Sequence, residues 1–458
     1  MSGRFRSLMR LALPLIAGSM VETLYNLTDT FFLGKLGAAE VSAPSIAFSV
    51  VFFLIVVGSG LAGACTTLIS QAKGRQDAEG MDRFLNQAAF FLAAASLAIA
   101  AIGIPLAGPV IRLLDTPPEI HDYARDYLAI VLAGLPFSFA FFLLNASLTA
   151  AGDTFTPLMV HLLAVAANVV LDPLLIFGIG PFPRLGVAGA AIATVASQAL
   201  GAYLSLRILA KGRHGMRLRL AAMRPRADSF RLFADIGLPS AIGQGLSALG
   251  FTVLQGAVNG YGPSAIAAFG VGNRIISLFD MPAHGIAGAA TALVGHALGA
   301  RDPAEARRVV RVALLACAAF LGPPLAFSSF YGSGLVRFFV ADPEAMRLGD
   351  IMFKIVSPSV FLFGLYLVTT GAFQGAGSTK IVMVLAVVRL WGIRIPMAYA
   401  LSRLGGVGPE SIWYAMFASN AATALAGILW YRRGPWARSL EFGDPAAAGG
   451  GEAPAGQG

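Results

Sequence analysis

A chain of 458 residues that is 57% hydrophobic and only 12% charged, with a mean hydropathy of +0.73, has too much apolar surface for one water-soluble core. This excludes an ordinary soluble enzyme or binding domain and points to a polytopic membrane protein whose solvent is lipid. The net charge of +9 then reads as basic residues gathered on one membrane face, and nucleic acid is not expected as a partner.

About twenty mostly apolar residues cross a bilayer. The sequence predicts twelve such spans, near 8–33, 41–70, 84–111, 123–150, 157–178, 186–210, 232–258, 265–297, 309–336, 351–375, 381–402 and 411–431. The first is too long to be the core of a cleaved signal peptide. It contains Pro14 and then "VETLYNLTDTFF", which places Glu22, Asn26 and Asp29 within about 60° of one another on one helical face. An Asp at the centre of a span costs about 2.5–3.5 kcal/mol on insertion scales, so such residues normally face the bundle interior. Span 4 adds Tyr127 near its outer end, and Asn145. Span 5, in "AANVVLDPLL", carries Asn168 and Asp172 four residues apart, with His161 expected to be a packing or loop-facing residue. Span 6 adds Thr194 and Gln198, again four apart. Cys65 and Cys317 lie in spans with no ligand or disulfide spacing and read as small packing residues.

A basic linker, 211–231, separates two sets of six spans, so the expected domains are 1–210 and 232–435. In the second set, span 8 carries Asn273, Arg274, Asp280 and His284, and span 11 carries Arg389 and Arg394. Asp280 and His284 are spaced to bond each other, with the arginines as candidate counter-charges. From 436 to 458, ending in "GDPAAAGGGEAPAGQG", a disordered tail is expected. With the N-terminus inside, 22 Lys and Arg lie on the inner side and 8 on the outer, so both termini read as cytoplasmic.

The two sets are repeats. At an offset of 225 residues "ALPLIAG" returns as "GLPSAIG", "QAKGRQD" (71–77) as "HALGARD" (296–302) and "AGDT" (151–154) as "AGST" (376–379). Each set has an even number of spans, so the repeats are parallel. Two parallel bundles with a cleft between them suit a rocking, alternating-access transporter. The acids are not repeated: Glu22 corresponds to Ser247 and Asp29 to Leu254. A purely structural requirement would have appeared in both halves. Two carboxylates in low dielectric do not both stay ionised easily, so they suit a cation site for a proton, or for Na⁺ held by Asp, Asn and Thr oxygens. The plainer reading is interhelical hydrogen bonding that glues the bundle. No catalytic triad, metal motif or nucleotide fingerprint is present, so an enzyme is not expected. A flippase for an anionic lipid-linked precursor would want a cationic cavity rather than an acidic stripe.

Together, "LALPLIAGSMVETLYNLTDTFFLGKLG", "NASLTAAGDTFTP" (145–157), "NVVLDPLLIFG" (168–178) and "LGVAGAAIATVASQ" (185–198) resemble the multidrug and toxic compound extrusion (MATE) family across about residues 8–435. The resemblance implies an all-α membrane fold of twelve helices in two lobes. It implies antiport of organic cations and other amphiphiles against H⁺ or Na⁺, with no further cofactor. The protein is expected to act as a monomer in the inner (plasma) membrane. Acids in the first half resemble the DinF-like branch. Asp29, Asp172, Asn168 and Asn145 would form the coupling site, with Tyr127 and Thr194 beside it, and Na⁺ would sit at Asp29, Asp172 and Asn168. Glu22, Asn26, Asp29 and Gln198 would line the substrate path, and Pro14 matches a helix-bending proline. Glu22 departs from the amide of some relatives.

Overall fold

The computed structural model describes residues 2–114, 116–339, 342–403, 406–434, 436, 437 and 440. The first half contains α1 (Ser2–Gly34), α2 (Ala38–Gly74), α3 (Ala78–Leu113), α4 (Pro118–Ala150), α5 (Phe155–Phe177) and α6 (Gly186–Lys211). The second contains α7 (Ala227–Asn259), α8 (Pro263–Gly299), α9 (Pro303–Phe330), the short α10 (Gly332–Arg337), α11 (Pro343–Gly375), α12 (Thr379–Val387), α13 (Ile395–Arg403) and α14 (Glu410–Arg433). A π-helical turn, Val388–Arg394, joins α12 to α13 as one rod. Eleven of these rods are long and apolar enough to cross a membrane. The twelfth, α8, is 37 residues long and is the repeat partner of α2; Asn273, Arg274, Asp280 and His284 lower its hydropathy.

The helices run past their apolar stretches, which is why most begin earlier than the hydropathy predicts. The repeat explains where they start. α1, α2 and α4 return as α7, α8 and α11 with both ends at the same offset. The caps return too. Asp77 Oδ1 accepts from Gly80 N at 2.7 Å before α3, and Asp302 Oδ1 accepts from Glu305 N at 2.8 Å before α9. Such caps satisfy amides that have no partner within the helix. Two places break the repeat. The ninth predicted span ends early at Phe330 and continues as α10, and the counterpart of the regular α5 contains the π turn.

Each half lends a helix end to the other. Leu8, Leu11, Ala12 and Ile16 of α1 are buried in the apolar core of the second half. Phe233 and Ile236 of α7, the repeat partners of Leu8 and Leu11, are buried in the core of the first. The halves are joined at the end of the bundle that carries the basic residues. There Thr67 Oγ1 donates to the Gln374 carbonyl at 2.8 Å, Gln71 Nε2 to the Gly375 carbonyl at 3.0 Å, and His296 Nε2 lies 2.6 Å from the Ala150 carbonyl. Arg4 grips Glu305 through two bonds of 2.6 and 2.9 Å.

The segment between α6 and α7 spans 212–226, shorter than the expected linker because both helices extend into it. Trp436, placed by the sequence in a disordered tail, is 1% exposed and stacks on Tyr431 with ring centroids 5.0 Å apart. Its large apolar ring has a pocket to fill, and its Nε1 donates to the Tyr431 carbonyl at 2.9 Å. The Gly443 tail lies outside the described residues.

Candidate functional site

Three helices of the first half bring the expected acids together in the half of the bundle away from the basic end. Asp29 comes from α1, Asn168 and Asp172 from α5, and Thr194 from α6. The i, i+4 spacing on α5 puts Asn168 and Asp172 on one face, and Asn168 Nδ2 donates to Asp172 Oδ1 at 3.1 Å. Both are fully buried. Thr194 Oγ1 donates to Asp29 Oδ2 at 3.4 Å, tying α6 to α1. The Asp29 and Asp172 carboxyl groups face each other where α1 meets α5. Tyr127 of α4 lies close to both acids and packs on the core of this half. Asp29 Oδ1, Asn168 Oδ1 and Asp172 Oδ2 are buried and have no donor among the described residues. Unsatisfied buried oxygens are costly, so the cluster has capacity for a proton or a small cation.

Not every predicted residue reaches this cluster. Asn145 sits eighteen residues further along α4 than Tyr127, about 27 Å at 1.5 Å per residue. It lines a cavity near the basic end with Thr66 and Gln374, and its Oδ1 accepts from Thr149 Oγ1 at 3.1 Å. Asn26 is exposed, and its Nδ2 donates to the Glu22 carbonyl at 3.0 Å. Gln198 Oε1 accepts from Ser138 Oγ at 2.9 Å and ties α6 to α4. The predicted stripe of Glu22, Asn26 and Asp29 therefore divides: Asp29 turns into the bundle and the other two stay exposed. α1 passes through Pro14 as one continuous helix. The proline's missing N–H leaves the Arg10 carbonyl without a helical partner.

Glu22 has a different partner. Its Oε2 lies 3.0 Å from His161 Nε2 of α5, so His161 is more than a packing residue. This pair lines a cavity of about 560 Å³ between the halves. The second half supplies the same cavity with Asp280 and His284, whose Oδ2 and Nε2 are 3.3 Å apart, as their spacing on α8 predicts. Phe141 and Phe142 add aromatic wall, and the volume suits a drug-sized ligand. Arg389 lies over the Phe363 ring at 4.6 Å. Arg394 is buried and donates to Ser419 Oγ at 2.9 Å and Asn420 Oδ1 at 2.6 Å, so it fixes α14 rather than serving Asp280. Sequence reasoning missed Tyr25, which lies beside Thr194 and Ser197. Its position four residues before Asp29 was the available signal.

The MatE family profile matches this chain twice, at residues 14–174 and 239–400, once in each half. A probable multidrug resistance protein of Bacillus subtilis, YpnP, is 27% identical over 94% of this chain and 95% of its own length. An FAD transporter of Shewanella oneidensis is 28% identical over 88% and 89%. Among solved structures, a MATE protein crystallised in complex with MaL6 superposes with a TM-score of 0.86 at 24% identity, over 94% of this chain and 96% of that one.

Proposed function

The chain belongs to the MatE family of membrane transporters, and from that premise we propose that it is a secondary antiporter that exports organic cations and other amphiphiles in exchange for H⁺. The observation that carries this reading is the face-to-face pair of Asp29 and Asp172, with buried oxygens that have no donor among the described residues. One proton between the two carboxyl groups would satisfy an oxygen of each. Relatives of similar identity bear names for unlike cargoes, multidrug resistance and FAD. Chemistry within this chain therefore decides the charge of its cargo. The interhalf cavity offers Glu22 and Asp280 with aromatic walls, which suits a lipophilic cation.

The bias of Lys and Arg supports an orientation with the basic end on the cytoplasmic side of the plasma membrane. On this reading, the joining of the halves at that end fits the outward-facing stage of the cycle. A proton entering from outside loads the Asp29–Asp172 pair. Loading removes the negative charge that holds a cation in the first half, and the cargo leaves outward. The halves then rock about the exchanged ends of α1 and α7, the proton escapes inward, and the ionised pair attracts the next cargo. One charge crossing 100 mV supplies about 2.3 kcal/mol for this exchange. Coupling in the first half is the arrangement of the DinF-like branch. Na⁺ exchange is the second reading, favoured by the Thr194 and Asn168 oxygens beside the acids.

Proton release tests the reading. Purified protein in weak buffer is titrated with tetraphenylphosphonium, and the pH is followed. Binding should release protons from the wild type and release fewer from Asp29→Asn. Binding with no proton release from the wild type, but with competition by Na⁺, moves the account to Na⁺ exchange.

A further inference from the structure

The segment joining the two halves is held more firmly than a connector needs to be. Two buried side-chain amides of α3 act as a substitute β-partner for it. Asn86 Nδ2 donates to the Arg217 carbonyl at 2.9 Å, and Asn86 Oδ1 accepts from Arg219 N at 2.7 Å. Gln87 repeats the pattern: Nε2 donates to the Arg224 carbonyl at 2.6 Å, and Oε1 accepts from Arg226 N at 3.1 Å. Asp82 Oδ1 adds a bond from Arg217 N at 2.7 Å. Asn86 and Gln87 are 1% and 2% exposed. Their repeat partners in the second half are Arg311 and Val312, so the repeat itself does not call for these amides. Asn86 Nδ2 also donates to the Asp82 carbonyl within α3 at 2.8 Å.

Fixing the backbone at alternate residues fixes where their side chains go. The result is an open bowl of about 730 Å³ between the segment and the start of α3. Arg83, Arg213, Arg217, Arg219, Arg224 and Arg226 line it, against only Glu79 and Asp82. Arg213 is shared with Asp153 at 3.4 Å, and Asp82 is already occupied by Arg217 N. Arg83 Nε is buried and has no hydrogen-bond partner among the described residues. Topology alone requires positive charge on this side of the membrane, and scattered residues would satisfy it. It does not require an ordered concave surface with an excess of four positive charges.

We propose that this bowl binds a phosphate-bearing anion, through guanidinium forks that match phosphate oxygens. The same chemistry is offered by an anionic phospholipid headgroup and by a soluble phosphate compound. The site is separate from the cation path and lies on the connector between the two rocking halves.

The test uses the full-length protein with two probes. In detergent, inorganic pyrophosphate is titrated and binding is read from thermal stability. In nanodiscs, lipid retained on the protein is compared by native mass spectrometry between phosphatidylglycerol and phosphatidylcholine. The variant Arg219→Ser/Arg224→Ser/Arg226→Ser removes exposed guanidiniums and leaves the amide clamps intact; Arg224→Ser alone serves if the triple variant does not fold. Arg432→Ser/Arg433→Ser, on the same face, controls for general charge. Pyrophosphate binding that weakens about tenfold or more in the triple variant, and in the single variant to a lesser degree, supports the site with a soluble occupant. Selective retention of phosphatidylglycerol, lost in the same variants, supports it with a lipid occupant. Wild-type protein that binds neither probe overturns the proposal. So does equal weakening in the control variant.

Discussion

Gly74 packs directly against the His296 carbonyl, and its repeat partner Gly299 packs against the Gln71 carbonyl, the repeat partner of His296. One contact is thus made twice about the axis that relates the halves, where α2 crosses α8. A Cβ at either glycine would overlap a backbone carbonyl. These glycines allow the two helices to meet, and their meeting closes the basic end of the bundle.

Substituting Gly299→Val should therefore push the halves apart at that end. The expected outcome is a thermal stability lowered by several degrees, consistent with about 1–3 kcal/mol for overpacking. Cysteines introduced at exposed positions of the interhalf cavity should also become more reactive to a reagent added from the basic side. Unchanged stability and reactivity would mean that α2 and α8 separate without cost there.

Glu22 is expected to attract cargo rather than to couple it. Glu22→Gln should raise KM for a monovalent organic cation severalfold and leave kcat close to wild type, the signature of lost uniform binding. Efflux measured over a range of cation concentrations checks this, with a neutral amphiphile as the unaffected control. A fall in kcat at unchanged KM would place Glu22 in the coupling step instead.

Asp153, between α4 and α5, gives a prediction outside the membrane. Partial burial alone would raise its pKa. Bonds from Thr156 N at 3.0 Å and Thr156 Oγ1 at 2.8 Å, with His214 and Arg213 beside it, outweigh that and hold the carboxyl below its ordinary value of 3.8. The unfolded chain takes up the proton first, so the stability from Asp153 is full above pH 3.8 and is lost as the pH falls through the lower folded value. Asp153→Asn should lower the melting temperature at neutral pH and make its decline below about pH 4 shallower. Melting curves between pH 3 and pH 7 check this; parallel profiles for the two proteins would contradict it.

Repetition made much of the fold legible. "QAKGRQD" and "HALGARD" were visible as one motif twice, and they build the crossing of Gln71, Gly74, His296 and Gly299. Hydropathy found twelve spans because lipid demands long apolar helices. It did not find the π turn at Val388–Arg394, since apolar length does not distinguish one helix type from another. At the candidate site, Asn168 and Asp172 were legible because their spacing puts them on one helical face. Asn145 was misplaced because the family resemblance assigned it to the site, although its number, eighteen beyond Tyr127, already put it at the other end of the same helix. The Glu22–His161 pair was missed because pairing between α1 and α5 depends on tertiary contact, which one-helix periodicity does not contain.

The central claim is that Asp29, with Asp172, couples proton entry to cation export. The most direct measurement is efflux of a fluorescent organic cation from proteoliposomes under an imposed pH gradient, for the wild type and for Asp29→Asn reconstituted in equal amounts. The account predicts transport driven by the pH gradient in the wild type and lost in the variant, with the variant's melting temperature close to wild type. Gradient-driven transport that persists undiminished in Asp29→Asn would contradict it.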